Sequence, residues 1–279
     1  MIIDGHVHFW DMARQEDILI VRLRAELQRN YFPKDLWPLV GAHGVGRVIL
    51  VQSAPSPDHT RWCLDIAKRE EGVAGVVGWV DLEALNVSDV LSAYKAEPRF
   101  AGFRAMVNRA PEPDWLLRPA VRHGFAAVSQ ANLVAELLVR PHHLPACLTL
   151  CKALPELRVV IDHGGQPDIQ AEAWEPWATD IAEIGRATTA ACKVAGLAEL
   201  AGPGWTVERF KPFFGHLLEC FGPERLLFGS NWPVINLVGD FHAWWEAFHQ
   251  LLDEFGLGEG ERGALLGGTA ARVYSIAPV

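Results

Sequence analysis

Two histidines near the start of the chain, His6 and His8, have the residue type and the spacing for chemistry. They end a short apolar stretch typical of a β-strand, and alternate residues of a strand point to the same face. Both imidazoles can therefore reach one atom. An imidazole exchanges protons near neutral pH, because its unperturbed pKa is about 6.5, and it is a common metal ligand. The pair indicates acid–base catalysis or metal binding.

A third histidine, His163, opens the loop after a later apolar stretch, "RVVID". A lone histidine at a strand end more often has a structural role, but a third one added to the His6 and His8 pair favours a functional cluster. We therefore predict that His6, His8 and His163 line one catalytic pocket.

The stretch "FGSNWPV", residues 228–234, brings an amide to the end of another predicted strand. Asn231 neither takes up a proton at ordinary pH nor binds a cation strongly. If the pocket performs hydrolysis, this position lacks a useful pKa. We expect Asn231 to orient a water molecule or a substrate hydroxyl.

Other polar or aromatic residues at predicted strand ends are candidate substrate contacts: Gln52, Arg104, Glu136, Arg140, His142 and Trp232. Glu136 lies among apolar neighbours, where an unpaired carboxylate would be costly, so a buried salt bridge is an equal alternative. Arg104 could simply pair with Glu136. We expect Lys193 to bury its stem and reach solvent, and Asp162 to point away from His163.

These residues lie on a repeated pattern of short β-branched stretches and longer amphipathic ones. The predicted strands are Ile2–His8, Arg47–Gln52, Ala74–Val80, Phe100–Arg104, Leu133–Val139, Leu157–His163, Ala190–Ala195 and Leu226–Ser230. The predicted helices include Thr60–Glu70, Leu116–Gln130, His143–Leu154, Ala173–Ile184, Val207–Phe221 and Phe241–Phe255. Eight strands alternating with helices predict an α/β fold, a single (β/α)8 TIM barrel over residues 1–279, with chemistry at the carboxyl ends of the strands. A doubly wound sheet is the alternative, but no GxGxxG or Walker-type loop follows the first strand.

Composition excludes several function classes. The chain has 279 residues, a net charge of −9 and a pI of about 5.6, which argues against nucleic acid or an anionic membrane as partner. No apolar run approaches the roughly 18 residues of a membrane span. The five cysteines form no CxxC pair and are expected to be buried small side chains. With no signal peptide evident, we predict a cytoplasmic protein.

The chain resembles a known family through motifs in matching order, from "GHVHFWD", "YFPKDL" and "GVVGWVDLEA" through "GFRAMV", "PDWLLRP", "LLVRPHHLP", "RVVIDHGGQP", "CKVAGL" and "LLFGSNWPV" to "GGTAARVY". It is similar to the amidohydrolase superfamily, in particular to the sugar-lactonase branch of the amidohydrolase 2 proteins. The resemblance implies lactone hydrolysis, a small-molecule substrate and a homodimer. It also implies an aspartate in the eighth strand, as general base or metal ligand, where this chain has Asn231.

The resemblance leaves the role of metal open. Two-metal relatives need a bridging residue where this chain has Arg104, a permanent cation, so we do not expect a binuclear site. One divalent ion such as Zn²⁺ could bind to His6, His8 and His163, since three imidazoles match a catalytic zinc site. We expect instead that no metal is required, or that it binds weakly.

The expected reaction is the opening of a sugar lactone to its hydroxy acid by water. In this hypothesis His6, His8 and Arg104 stabilise the oxyanion, and His163 deprotonates the water. Two alternatives stay open: a metal-dependent decarboxylase of the same superfamily, and a non-catalytic descendant that binds a sugar acid.

Overall fold

A computed structural model describes residues 1–277 and places eight parallel strands in one sheet, in sequence order. They are β1 Ile2–Val7, β2 Val45–Val51, β3 Val73–Gly78, β4 Phe100–Ala105, β5 Val134–Leu137, β6 Arg158–Ile161, β7 Ala191–Val194 and β8 Leu226–Phe228. All eight predicted strands are confirmed, most of them shorter at their carboxyl ends than predicted. The predicted (β/α)8 barrel is confirmed.

The barrel closes between β1 and the segment that follows β8. The backbone N–H of His8 donates to the Trp232 carbonyl at 2.7 Å, and the N–H of Asn231 donates to the His6 carbonyl at 2.9 Å. One carboxylate reinforces this seam: Asp4 Oδ1 accepts from the N–H groups of His6 and Ser230 at 3.0 and 2.9 Å. The seam therefore fixes the first-strand histidines relative to Asn231.

Helices cover the outside of the barrel, so both faces of the strands are buried, as continuous apolar strands require. They are α1 Leu19–Leu23, α2 Pro33–Gly41, α3 Pro57–Arg69, α4 Val87–Lys95, α5 Pro119–Gln130, α6 Leu144–Ala153, α7 Trp177–Ala187, α8 Leu197–Ala201, α9 Val207–Phe221, α10 Phe241–Glu254, α11 Glu259–Gly263 and α12 Thr269–Val273. The six predicted helices correspond to α3, α5, α6, α7, α9 and α10. The helix predicted from Leu116 begins instead at Pro119, because a 3₁₀ turn, Trp115–Leu117, precedes it.

The C-terminal segment packs against the amino-terminal ends of the strands. Ala270 and Tyr274 join the small apolar core inside the barrel, which also contains Ile3 and Val160. Within this segment a π-helical turn, Ala264–Gly268, precedes α12. The carboxyl ends of the strands, at the opposite end of the barrel, are not covered by this segment.

Two further sequence expectations concern cysteines and membranes. All five cysteines are free, four of them buried and Cys220 partly buried. Among residues 1–277, no helix combines the length and the apolar character that crossing a bilayer requires.

Candidate active site

A cavity of about 310 Å³ lies at the carboxyl ends of the strands. This volume is in the range of small-molecule sites. Five of the predicted site residues line it: His8, Arg104, Arg140, His163 and Asn231. They come from the ends of five different strands, as the chemistry of a barrel enzyme requires.

The first-strand histidines converge as predicted. His6 Nε2 and His8 Nε2 are 3.1 Å apart, and both rings are buried. Lys193 Nζ can only donate, and it lies 3.1 Å from His6 Nδ1, so the His6 proton is on Nε2. His8 donates through Nδ1 to the Val51 carbonyl at 2.7 Å, which leaves its Nε2 as the acceptor for His6. The contacts thus form one directed chain, from Lys193 through His6 and His8 to Val51.

His163 lies beside this pair because of a tight turn after β6. The turn, Asp162–Gly165, holds His163 at φ 53° and Gly164 at φ 63°, in the left-handed region. The ring centroids of His163 and His6 are 4.6 Å apart, and His163 Nδ1 lies 3.1 Å from the Ala195 carbonyl oxygen. The three predicted histidines therefore meet at one place.

The expectation that Asp162 points away from the site was wrong. Its carboxylate is buried, with Oδ1 3.7 Å from His6 Nδ1 and Oδ2 3.7 Å from Arg104 Nη1. The argument from alternation failed because β6 ends at Ile161, and a turn need not continue the alternation of the strand.

The expectation that Lys193 reaches solvent was also wrong. Lys193 is fully buried, and its Nζ lies 2.6 Å from Glu136 Oε1 and 3.6 Å from Asp162 Oδ1. Of the two readings of Glu136, the buried salt bridge is the one observed. Arg104 does not pair with Glu136, although the two face each other across β4 and β5; its nearest carboxylate is Asp162.

Four predicted substrate contacts do not reach the cavity wall. Glu136 and Gln52 are buried beneath it, Trp232 packs against Phe9 and Tyr31, and His142 is exposed to solvent outside it. These four side chains therefore do not line the space that a substrate would occupy.

The sequence analysis missed several cavity residues, and one of them is acidic. Glu199, on the short helix α8 after β7, lines the cavity and accepts a hydrogen bond from Asn231 Nδ2 at 2.8 Å. The signal that could have found it is a carboxylate in a βα connection of a barrel, just after "CKVAGL". Asn231 itself has φ 55°, a left-handed conformation that asparagine adopts more readily than most residues.

Burial changes the proton affinities of these groups. It lowers the pKa of His163 to about 4, helped by the charges of Arg104 and Lys193 and opposed by Asp162. It also lowers the pKa values of His6 and His8 well below 6.5. Burial raises the pKa of Glu199 to about 7, although the bond from Asn231 lowers it. At neutral pH the imidazoles are uncharged, and Glu199 is close to its titration midpoint.

One group of donor atoms in the site has the spacing for a divalent ion. In the site, the donor atoms of His6, Asp162 and His163 lie within 4.8 Å of one another, a set that contains Asp162 and not the predicted His8. Arg104 Nη1 lies 3.5 Å from His6 Nε2 and 3.7 Å from Asp162 Oδ2, so a permanent cation already stands beside these donors. These three donors could hold a divalent ion, but the positive charge of Arg104 beside them weakens its binding.

Comparison with known proteins identifies the family. The sequence profile described as Amidohydrolase, that of the amidohydrolase 2 family, matches residues 3–276. The chain belongs to the amidohydrolase family. Within it, an L-fucono-1,5-lactonase from Burkholderia ambifaria is 36% identical over 277 residues, 98% of this chain and 95% of that protein. An L-fucono-1,5-lactonase from Burkholderia multivorans is 30% identical over 290 residues, 98% and 96% of the two chains. The resemblance to the sugar-lactonase branch is confirmed.

Solved structures of amidohydrolases agree with this assignment. A crystal structure of an amidohydrolase from Burkholderia multivorans with bound zinc superposes with a TM-score of 0.92 at 29% identity, covering 99% of this chain and 100% of that one. A second crystal form with bound HEPES has a TM-score of 0.89 at 28% identity, with the same coverage of both chains. The zinc belongs to the relative.

Proposed function

We propose that this amidohydrolase opens a sugar lactone to the corresponding hydroxy acid by attack of water on the ester carbonyl. The observation that carries the proposal is the convergence of His8, His163 and Arg104 on one cavity, in a chain similar over nearly its full length to L-fucono-1,5-lactonases. A ring ester is electrophilic enough to be hydrolysed by hydrogen bonding and a general base, without a covalent intermediate on the protein.

Arg104 is the proposed oxyanion stabiliser. It lines the cavity and keeps its positive charge, and its Nη2 donates to the Gln52 carbonyl, which holds the guanidinium in place. A fixed cation in a site of low polarity stabilises the negative charge that develops on the carbonyl oxygen. The predicted direct roles of His6 and His8 in this step are revised, because the His6 Nε2 proton is already directed at His8 Nε2. Both histidines instead position the neighbouring groups.

His163 is proposed to bind rather than to deprotonate. Its Nδ1 donates to the Ala195 carbonyl, so Nε2 carries a lone pair that can accept from water or from a substrate hydroxyl. A group whose pKa has fallen to about 4 is a weak base for water. Arg140, Asn108 and Gln166 add further hydrogen-bonding groups to the wall, which suits a hydroxyl-rich ring.

The first prediction concerns reaction class and metal dependence. The purified protein should release acid from a panel of aldonolactones in a pH-indicator assay. Chelator treatment should leave the rate unchanged, because the positive charge of Arg104 lies beside the donors that a metal ion would need. Release of carbon dioxide from an aromatic acid, with no acid released from any lactone, would instead support the decarboxylase. If activity disappears with chelator and returns with zinc, metal independence is wrong.

A further inference from the structure

The proposed reaction lacks a strong base among its histidines. His8 Nε2 accepts from His6, and the lone pair of His163 belongs to a ring whose pKa is about 4. A water molecule attacking an ester needs a proton acceptor with a higher affinity than this. The acceptor has to come from elsewhere in the same cavity.

Glu199 is the acidic side chain among the described residues that line the cavity. Its two oxygens have different environments. Oε1 accepts from Asn231 Nδ2 at 2.8 Å, whereas Oε2 is buried and has no hydrogen-bond partner within residues 1–277. A buried carboxylate oxygen without a partner is costly in a folded protein, so its retention in a cavity wall indicates a ligand that supplies the missing hydrogen bond.

We propose that Glu199 is the general base of this site and that the Asn231 amide orients it, an inference that rests on the proposed lactone hydrolysis. Oε2 accepts a proton from water while the water oxygen forms a bond to the lactone carbonyl carbon. The resulting oxyanion lies against Arg104. When the intermediate collapses, the ring C–O bond breaks, and the proton on Glu199 passes to the departing alkoxide oxygen. The products are one hydroxyl and one carboxylic acid, which loses its proton to solvent.

This assignment accounts for the amide at position 231. A carboxylate so close to Glu199 would force the two groups to share a proton, because neighbouring like charges disfavour full ionisation. An amide can only donate to the carboxylate through Nδ2, so it holds Oε1 and leaves Oε2 directed elsewhere. Burial also raises the pKa of Glu199 to about 7, which suits proton transfer at neutral pH.

The test uses Glu199→Gln, because glutamine can still accept from Asn231 through its amide oxygen. If Glu199 is only structural, the variant should behave like wild type. If Glu199 is the base, kcat for lactone opening should fall by about 10²–10⁴-fold with little change in KM. The matched control is Glu219→Gln, an exposed glutamate on α9, which should keep the wild-type kcat.

Two further variants test the role of Glu199. The exchange Glu199→Gln with Asn231→Asp restores one carboxylate and one amide in reversed positions, and should recover at least part of the lost kcat. Formate should partly restore Glu199→Ala, because a small carboxylate can enter the space left by the side chain. Thermal melting confirms that each variant is folded.

The outcomes separate the two proposals. A folded Glu199→Gln within about threefold of wild-type kcat would overturn the role of Glu199 and leave lactone hydrolysis intact. A wild-type protein that opens no lactone overturns the proposed function and this inference together. Loss of kcat with recovery in the exchange variant supports both.

Discussion

His163 is held as a neutral imidazole at a site surrounded by charge. It lies close to His6, and its pKa is lowered first by burial and then by the positive charges of Arg104 and Lys193. Asp162 opposes that shift without reversing it. A neutral ring with Nδ1 fixed on the Ala195 carbonyl can present an acceptor to the cavity. Because folding lowers the pKa of His163, the protonation of this residue also affects the stability of the fold.

The second prediction is therefore a pH effect on unfolding. Folding lowers the pKa of His163 from 6.5 to about 4, so between these values the unfolded chain binds a proton that the folded chain does not. The contribution of the neutral His163 to the free energy of unfolding is fully present above about pH 6.5. It is lost as pH falls from 6.5 to about 4, in total about 3 kcal/mol. Urea unfolding at pH 7 and pH 4.5 should show a smaller acid-induced loss in His163→Gln than in wild type, by about 2–3 kcal/mol.

Buried acids change the pH dependence of stability in the opposite direction, so the effect of His163 shows only as a difference between wild type and the variant. Burial raises the pKa of Asp4 to about 6 and that of Glu136 to about 7. Because of these two groups, the free energy of unfolding falls as pH rises. His123→Gln, at an exposed position on α5, serves as the control and should retain the wild-type pH dependence. Equal acid-induced losses in wild type and His163→Gln would contradict the prediction.

At the scale of elements, two turns at strand ends place the site. The turn Asp162–Gly165 follows β6, and Gly196 follows β7 with φ 72°. A Cβ added to Gly196 would lie 2.8 Å from His163 Nδ1 and 3.1 Å from its Cγ. The backbone after β7 therefore approaches the ring of His163 so closely that only glycine fits there. It also leads directly into α8, which carries Glu199.

The third prediction is that Gly196→Ala displaces His163. The substitution combines a left-handed backbone, which costs about 1–2 kcal/mol for alanine, with a contact that the ring must relieve by moving. Lactone opening should fall by tenfold or more. Gly256→Ala is the matched control, since Gly256 has φ 64° and no atom within 4 Å of an added Cβ. Both variants should lose stability through backbone strain, measured by urea unfolding, and Gly196→Ala should lose more because of the added contact. Only Gly196→Ala should lose activity; equal activities would show that His163 is not displaced.

At the scale of the whole molecule, the interior of the barrel has two layers of different character. The amino-terminal half is apolar and is closed by α12, whereas charged residues occupy the layer beneath the cavity. Lys193 is central to that layer, because Glu136, Asp162 and His6 all lie within 3.6 Å of its Nζ. Tyr274 after α12 also donates to Glu136, so the C-terminus and the site share one set of hydrogen bonds. Charge in this layer is balanced by pairing across strands.

The fourth prediction tests that balance. Lys193→Met leaves Glu136 buried without its cation and leaves Asp162 with Arg104 alone, and removing one partner of a buried pair typically costs about 3–5 kcal/mol. Adding Glu136→Gln should recover part of the loss, because glutamine is neutral and still accepts from Tyr274. Urea unfolding measures all three proteins. The surface variant Lys211→Met, which breaks a partly exposed pair with Glu254, should change the free energy of unfolding little. Equal effects of the two lysine substitutions would contradict the proposed balance.

The sequence by itself determined the barrel, the strand order and much of the cavity wall. Strand and helix periodicity are local signals, and the carboxyl ends of parallel strands necessarily meet at one end of a barrel. That rule was enough to bring His8, Arg104, His163 and Asn231 together. The spacing of His6 and His8 also predicted that their rings meet, but His6 itself does not line the cavity.

Only the tertiary structure decided how the buried charges are paired and which carboxylate faces the cavity. Asp162 turns inward because of a backbone turn that alternation does not describe, and Lys193 finds its partners on other strands. Glu199 meets Asn231 across 32 residues of sequence. Such pairings depend on side-chain reach and on turn geometry in three dimensions, and neither leaves a periodic pattern in the chain.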